Sequence, residues 1–450
     1  MTVDVLPDVV LLEIFSFYVD DAWMEAWHTL VHVCRKWRSV VFGSQRRLNL
    51  RLRCTAGTQV RETLGIWPLL PIDIKVFGHE MWGKWGADNI LAALESNDRI
   101  CRIDLFYIPN LELEKILAAM QQPFSALTRL RLQSRDYTAP AIPSSFLGGS
   151  APHLQSLILD RIPFPGLPKL LLTSTHLVSL RLGEIPDSGY ISPEAMVTCL
   201  SMLTRLERLD IGFESPRCYP DRKSRRPPPQ TRTLLPALTT LRFRGVGKYL
   251  EDIVARIDSP LLDDLVITFF HQLILDTPQL TQFITRTPKL KAHDEARVYF
   301  SNCGVWVTLP QAFDGVLNVG ISCGQSDWQL SSLAQICSSI FPHAFIPVLE
   351  HLYILEERFS RLCWQDDIEA SQWLDLLRPF IAVKSLYVSL EFTPHIAPAL
   401  QELVEELPAL QTLFLEEPFP SGPVQETIEH FVAARQVDSH PIAVSCWERK

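Results

Sequence analysis

The sequence lacks a basic excess, clustered cysteines and any long hydrophobic run, and each absence removes a class of function. Lys and Arg number 42 against 51 Asp and Glu, leaving a formal charge of −9 and a pI near 5.8. General binding to nucleic acid or to an anionic membrane rewards a basic surface, so neither is expected as a partner. The ten cysteines are scattered, at 34, 54, 101, 199, 303 and 446 among others, with no CxxC pair. Zinc sites need thiolates and imidazoles at short spacing, so no metal is expected. No apolar run approaches the ~20 residues needed to cross a bilayer. The opening MTVDVLPDVV places an acid where a signal peptide needs a basic region. The expected compartment is therefore reducing, cytoplasmic or nuclear. GxSxG, HExxH, P-loop and dinucleotide fingerprints are all missing, so no catalytic residue, no cofactor and no enzyme are expected.

What is present is apolar. Hydrophobic residues make up 47% of 450 and charged residues 21%, enough to bury a core over two or three domains or one repeat array. Leu6-Pro7-Asp8 opens a helix, because proline suits the first helical position and aspartate the positive end of the dipole. In residues 9–19, VVLLEIFSFYV, only Glu13 and Ser16 are not apolar. Such a helix expects burial on more than one side. A second helical segment is expected over Ala26–Val41, with Leu30, Cys34, Trp37 and Val41 on one face. So small a helical unit cannot enclose this much apolar surface. The surplus lies either against a second protein or against the rest of the chain as an end cap, and composition does not choose between them. His28 and His32 stand four apart without a third ligand nearby and are read as surface or packing residues. Cys34, despite Arg35 and Lys36 beside it, is read as a small hydrophobe.

LPDVVLLEIF followed by VHVCRKWRSVVFGSQRRL resembles an F-box, whose usual form is LPxExLxxIF and then VCxxWR. Val9 departs from the glutamate usual there. RRLNLRL and GIWPLLPIDI are also similar to F-box proteins of mushroom-forming fungi. The resemblance covers about a tenth of the chain. It implies that Leu6, Pro7, Leu11, Ile14, Phe15, Val33, Cys34 and Trp37 build the domain and its contact with a Skp-family adaptor, and through it a cullin. Which of the eight touch the adaptor and which are internal core stays open.

From about residue 70 a unit apolar-x-x-Leu-x-apolar recurs. It reads ICRIDL (100–105), LTRLRL (127–132), LQSLIL (154–159), LVSLRL (177–182), LERLDI (206–211), LTTLRF (238–243) and LDDLVI (262–267), then LEHLYI (349–354), VKSLYV (383–388) and LQTLFL (410–415). The first seven starts are 27, 27, 23, 29, 32 and 24 residues apart, the length of a leucine-rich repeat with one strand and one helix. Helical spacing fills the gaps at 111–120, 193–203, 248–257, 366–377 and 396–407. PIDIKV (71–76) is expected as the first strand and Asp88–Leu94 as the first helix. Between 285 and 340 the pattern blurs, with ARVYF and GVLNVGI as strands. The fold class is thus α/β: a small all-α F-box over 1–50, a connector over 51–69, and an irregular leucine-rich-repeat solenoid over 70–450, parallel strands inside and helices outside. The rival is a doubly wound α/β fold, less favoured by ten copies of one signature. CYPDRKSRRPPPQTR (218–232) carries five basic side chains and three consecutive prolines, marking a disordered insertion near 215–232. A solvated loop is preferred there to an import or docking role.

In each repeat strand the last two leucines face the core, so alternate residues face the inner surface. Arg102, Arg129, Arg131, Arg181, Arg208, Arg242 and Arg244 fall there with Asp104, Asp160, Asp210 and Asp264, and further along Tyr353, Tyr387 and Phe414. The expectation is an arginine stretch for acidic or phosphorylated segments followed by an aromatic stretch for apolar anchors. The alternative is a solvated sheet whose arginines pair with neighbouring acids. The expected function is that of a non-catalytic substrate-recognition subunit of a cullin-type (SCF) ubiquitin ligase, bridging the adaptor and a protein substrate. A scaffold or cargo-binding solenoid independent of ubiquitin transfer is the alternative.

Overall fold

The structure, a computed structural model, describes residues 6–21, 26–76, 86–216, 231–270, 276–290, 294–310, 315–323, 326–341, 348–357, 370–402, 407–417, 422–437 and 440–449. The chain is mixed α/β and divides into two compact units, Met1–Tyr190 and Ile191–Lys450. Most of the expected insertion at 215–232, residues 366–369 at the start of one expected helix and residues 403–406 near the end of another lie outside the described residues.

The first unit opens with α1 (Asp8–Asp21), α2 (Ala26–Val33) and α3 (Arg35–Gly43). The continuous helix expected over 26–41 is broken at Cys34, whose φ of −157° and ψ of 170° are extended. Strand β1 (Leu52–Cys54) and helix α4 (Val60–Ile66) follow. The segment 51–69 is therefore more than a connector, and 71–76 is not the first strand, because β1 pairs in parallel with β2 (Ile72–Val76). Next come α5 (Gly86–Leu94), β3 (Ile100–Ile108), α6 (Asn110–Ala119), β4 (Arg129–Ser134), β5 (Ser156–Asp160), α7 (Leu167–Thr173) and β6 (Ser179–Ile185). Strands β1 to β6 pair in parallel in sequence order. Alternation sets their faces: Ile103, Leu105, Leu130, Leu132, Leu157, Leu159, Leu180 and Leu182 are all buried, as are the apolar stripes of α6 and α7.

Three of the first unit's leucine signatures begin with a tight turn. The N–H of Leu127, Leu154 and Leu177 donates to the carbonyl three residues earlier, at 3.2, 3.2 and 3.1 Å. One carbonyl then accepts two successive N–H groups of the next unit: Thr128 from Gln155 and Ser156, Gln155 from Val178 and Ser179. The backbone thus repeats its hydrogen bonding as well as its side chains, and few donors at the strand entrances are left to water.

The second unit runs α8 (Pro193–Leu200), β7 (Arg208–Phe213), β8 (Thr233–Leu234), β9 (Thr240–Gly245), α9 (Gly247–Val254), β10 (Ile257–Asp258), β11 (Asp264–Phe270), α10 (Pro278–Arg286), β12 (Glu295–Ser301), β13 (Gly304–Pro310), β14 (Val316–Ser322), α11 (Ser326–Ser339), β15 (His351–Glu356), α12 (Ala370–Leu377), β16 (Ser385–Val388), α13 (Thr393–Glu402), β17 (Thr412–Glu416), α14 (Pro423–Val437) and β18 (Ala443–Trp447). The same turn recurs at Leu206, Leu238, Leu262, Val383 and Leu410. Its strand order is β7-β9-β11-β14-β13-β12-β15-β16-β17-β18. The stretch where the repeat blurs is an inverted triplet: β13 is antiparallel to β12 and to β14, while β14 lies parallel to β11 and β12 parallel to β15. Both strands expected from ARVYF and GVLNVGI are present, with a third between them. Trp306 of β13 fits because its neighbour at 320 is glycine; a Cβ there would overlap the indole.

Helices α9 and α10 are clamped together by a carboxylate. Glu251 of α9 accepts the N–H groups of Gln279 at 2.9 Å and Leu280 at 2.7 Å, at the start of α10. Burial pushes its pKa up from 4.5 to about 7 against the opposing pull of those two donors. Among the described residues no helix is long and apolar enough to cross a membrane, and no group of three His, Cys, Asp or Glu side chains is placed to hold a metal ion.

Candidate binding surfaces

The three amino-terminal helices close on a small core and leave one side bare. Leu11 and Phe15 are 0% exposed, and Trp27, Leu30 and Val31 are buried with them. Trp37 is half-buried, edge-on to Phe15 with ring centroids 4.8 Å apart. Cys34 fixes that approach: as N-cap of α3, its Sγ accepts the Trp37 N–H at 3.4 Å. Leu6 and Pro7 act through their carbonyls, Leu6 accepting from Lys36 Nζ at 2.8 Å and Pro7 from the Leu11 N–H at 3.1 Å. His28 stacks on Trp67 at 4.8 Å and His32 meets the same ring edge-on, so both pack as the sequence suggests.

Of the eight residues drawn from the F-box resemblance, Leu11 and Phe15 are thus interior. Leu6, Cys34 and Trp37 are half-buried, while Pro7, Ile14 and Val33 are exposed. The structure adds side chains the resemblance did not single out. Val9 is 63% exposed and Phe17 71%, with Val10 and Tyr18 also open beside Ile14 at 46% and Val33 at 56%. Val10, Ile14 and Phe17 step by four and three residues, so they form one stripe along α1. That spacing stands in the sequence; its exposure does not, because the opposite stripe is equally apolar.

On the first unit's sheet, the face opposite the leucines is basic. Arg53, Lys75, Arg102, Arg129, Arg131 and Arg181 stand there against Asp73, Asp104 and Asp160. Asp73, 0% exposed, is held by Arg51 at 3.0 Å. Asp104 accepts from Arg129 Nε at 3.1 Å, and Asp160 from Arg181 Nε at 3.3 Å. The alternative of arginines paired with acids is thus realised at these two positions. It is not realised at Arg102 or Arg131, which form no ion pair among the described residues. The Arg131 guanidinium carbon lies over the Phe106 ring, 4.0 Å from its centre, its Nε is buried without a hydrogen-bond partner, and desolvation lowers its pKa. Arg102 and Arg129 are direct cross-strand partners, a like-charge pairing that costs stability and that Asp104 at Arg129 and Asp73 on the other side of Arg102 offset only in part.

The second unit carries the remaining residues. Arg242 pairs with Asp264 at 3.4 Å, Arg244 lies 5.6 Å from the Phe270 ring centre, and Arg208 is exposed. Further along, one register row reads Arg297, Tyr353, Tyr387, Phe414. The three rings stack nearly parallel, centroids 4.1 and 4.3 Å apart and planes 9° and 3° apart. Arg297 covers the open face of Tyr353 at 5.6 Å, and Trp447 stands edge-on to Tyr353 and Tyr387 at 6.2 and 5.6 Å. Burial, with Tyr387 beside it, pushes the Tyr353 phenol up to about 12. The expected aromatic stretch is a continuous ladder, which the sequence gives as three separate positions. Arg297, at one end, and Trp447, against its edge, were not foreseen.

No protein-family model matches the chain, and no curated protein matches its sequence. The class defined by the geometry is therefore an α/β protein of parallel-dominated strand and helix units, preceded by three short helices with an uncovered apolar stripe.

Proposed function

We propose that the chain is the substrate-recognition subunit of a cullin-type (SCF) ubiquitin ligase. In this reading α1 to α3 form an F-box that docks on a Skp-family adaptor, and the strand and helix units are irregular leucine-rich repeats that hold a protein substrate. The observation that carries the reading is the bare stripe of α1. Val10, Ile14 and Phe17, flanked by Val9, Tyr18 and Val33, remain open although the same three helices bury Leu11 and Phe15 completely. Fully burying one such side chain is worth about 1.5–3 kcal/mol, so a partner covering the stripe gains more than most surface contacts offer. A helix presenting anchors at i, i+4 and i+7 suits a groove on another protein. The repeated turn and double-acceptor carbonyls support the repeat reading. The contribution of such a subunit is proximity, raising the effective concentration of substrate lysines near the charged conjugating enzyme.

Co-expression with a Skp-family adaptor tests this. Capture of the adaptor by the intact chain, lost in Ile14→Asp/Phe17→Asp with an unchanged melting temperature, is the expected result. Leu11→Asp is the wrong probe, since Leu11 is interior and its loss unfolds the domain. An adaptor held equally well by the Ile14/Phe17 double variant overturns the assignment.

A further inference from the structure

The first unit's sheet face holds more positive charge than its own acids answer. Asp73 is committed to Arg51, Asp104 to Arg129 and Asp160 to Arg181. Arg102 stands in register between Asp73 and Arg129, and no ion pair joins it to Asp73, which Arg51 holds instead. Arg131, in the next row, occupies the position between Asp104 and Ile158 and bonds to neither. Its guanidinium is nonetheless fixed, packed on Phe106 at 4.0 Å with Nε buried and unpartnered. A fixed, half-desolvated guanidinium beside a like-charged pair is arranged for an anion that arrives from outside, because such a charge gains most where water already competes least.

We infer that the Arg102, Arg129 and Arg131 patch docks an anionic peptide segment, its carboxylate or phosphoryl oxygens supplying the acids the sheet lacks. The inference deepens the function proposed above by naming the chemistry of the substrate, and it rests on that reading only in calling the segment a substrate. Neighbouring strands are ~4.8 Å apart, a spacing that one phosphoryl group or two carboxylates of an extended chain bridge between Arg102 and Arg129. The face favours a short acidic segment over nucleic acid, because the chain as a whole carries a charge of −9 and repels a long polyanion beyond the patch.

The test uses the full chain and three labelled peptides of one sequence carrying four glutamates, four phosphoserines or four glutamines, read by fluorescence anisotropy. Binding of the glutamate or the phosphoserine peptide but not the glutamine peptide is expected, and the stronger of the two names the source of the anion. Arg102→Gln/Arg131→Gln is expected to weaken that binding about tenfold or more, with thermal unfolding unchanged. The inference is overturned if the double variant binds as tightly as the parent, if neither anionic peptide binds, or if single-stranded polyuridylate binds as tightly at the same salt. Adaptor capture, measured in parallel, separates the two claims: peptide binding without adaptor capture supports the patch and overturns the ligase reading alone.

Discussion

The thiol of Cys34 accepts the backbone N–H of Trp37 at 3.4 Å, and this bond decides where the second helix ends and the third begins. Cys34 leaves α2 in an extended conformation, and its side chain takes one of the donors that α3 would otherwise leave unpaired. The turn brings Trp37 edge-on to Phe15, so the cap ties the two halves of the helical core together.

Serine at position 34 preserves the cap and alanine removes it. Cys34→Ala is expected to lose about 0.5–1 kcal/mol, the low end for a lost N-cap because sulfur is a weak acceptor. Cys34→Ser is expected to stay within about 0.5 kcal/mol of the parent. Hydrogen exchange of the amides in residues 35–43 reads this locally; equal protection in both variants sinks the capping argument.

The elements themselves were legible in the sequence to different depths. Every leucine signature from 100 to 415 leads into a strand, and eight of the ten begin with the same turn, because Leu at fixed spacing meets the same environment in each unit. The order of β12, β13 and β14 was not legible, since alternation marks a strand but not its neighbours. Nor was β1: three residues, LRC, carry too short an alternation to separate from a loop. For the helical surface, VVLLEIFSFYV shows that α1 is apolar all round. The folded helices turn Leu11 and Phe15 inward, with Phe15 against Trp37, while Phe17 stays out. Alternation puts each arginine on the side of its own strand opposite the buried leucines, yet its pairing depends on which aspartate the adjacent strand brings into register.

Glu251 gives unit two a pH dependence of known sign. Its folded pKa of about 7 lies above the ordinary 4.5, so burial favours the protonated acid in the folded state. The stability it contributes is complete below pH ~4.5 and is lost as pH rises through about 7. The effect is on the order of 1–2 kcal/mol, reduced because the group is only partly buried. Denaturant unfolding from pH 4.5 to 7.5 is expected to show a shallower decline in Glu251→Gln than in the parent. Identical slopes would show that the clamp at Gln279 and Leu280 does not titrate in this range.

Gly320 is required by its neighbour. A methyl group there overlaps the half-exposed Trp306 indole, which would have to turn away from the cross-strand position it now fills. Gly320→Ala is expected to cost about 1–3 kcal/mol, as other overpacked sites do. Trp306→Ala opens the space, so the double variant should be less damaged than the two single losses added together. Strict additivity would mean that the glycine serves backbone freedom alone.

The aromatic row makes a separate claim about coupling. Tyr353, Tyr387 and Phe414 stack at 4.1 and 4.3 Å, and Tyr387 alone touches both others. Removing Phe414 should therefore matter more when Tyr387 is present than when it is not. A cycle of Tyr387→Ala and Phe414→Ala is expected to give a coupling of about 0.5–1.5 kcal/mol. The matching cycle of Tyr353→Ala and Phe414→Ala should give close to zero, because those rings sit on strands separated by β16. Equal coupling in both cycles would mean that the ladder acts as one slab whose strands shift together, rather than through ring contacts passed from one neighbour to the next.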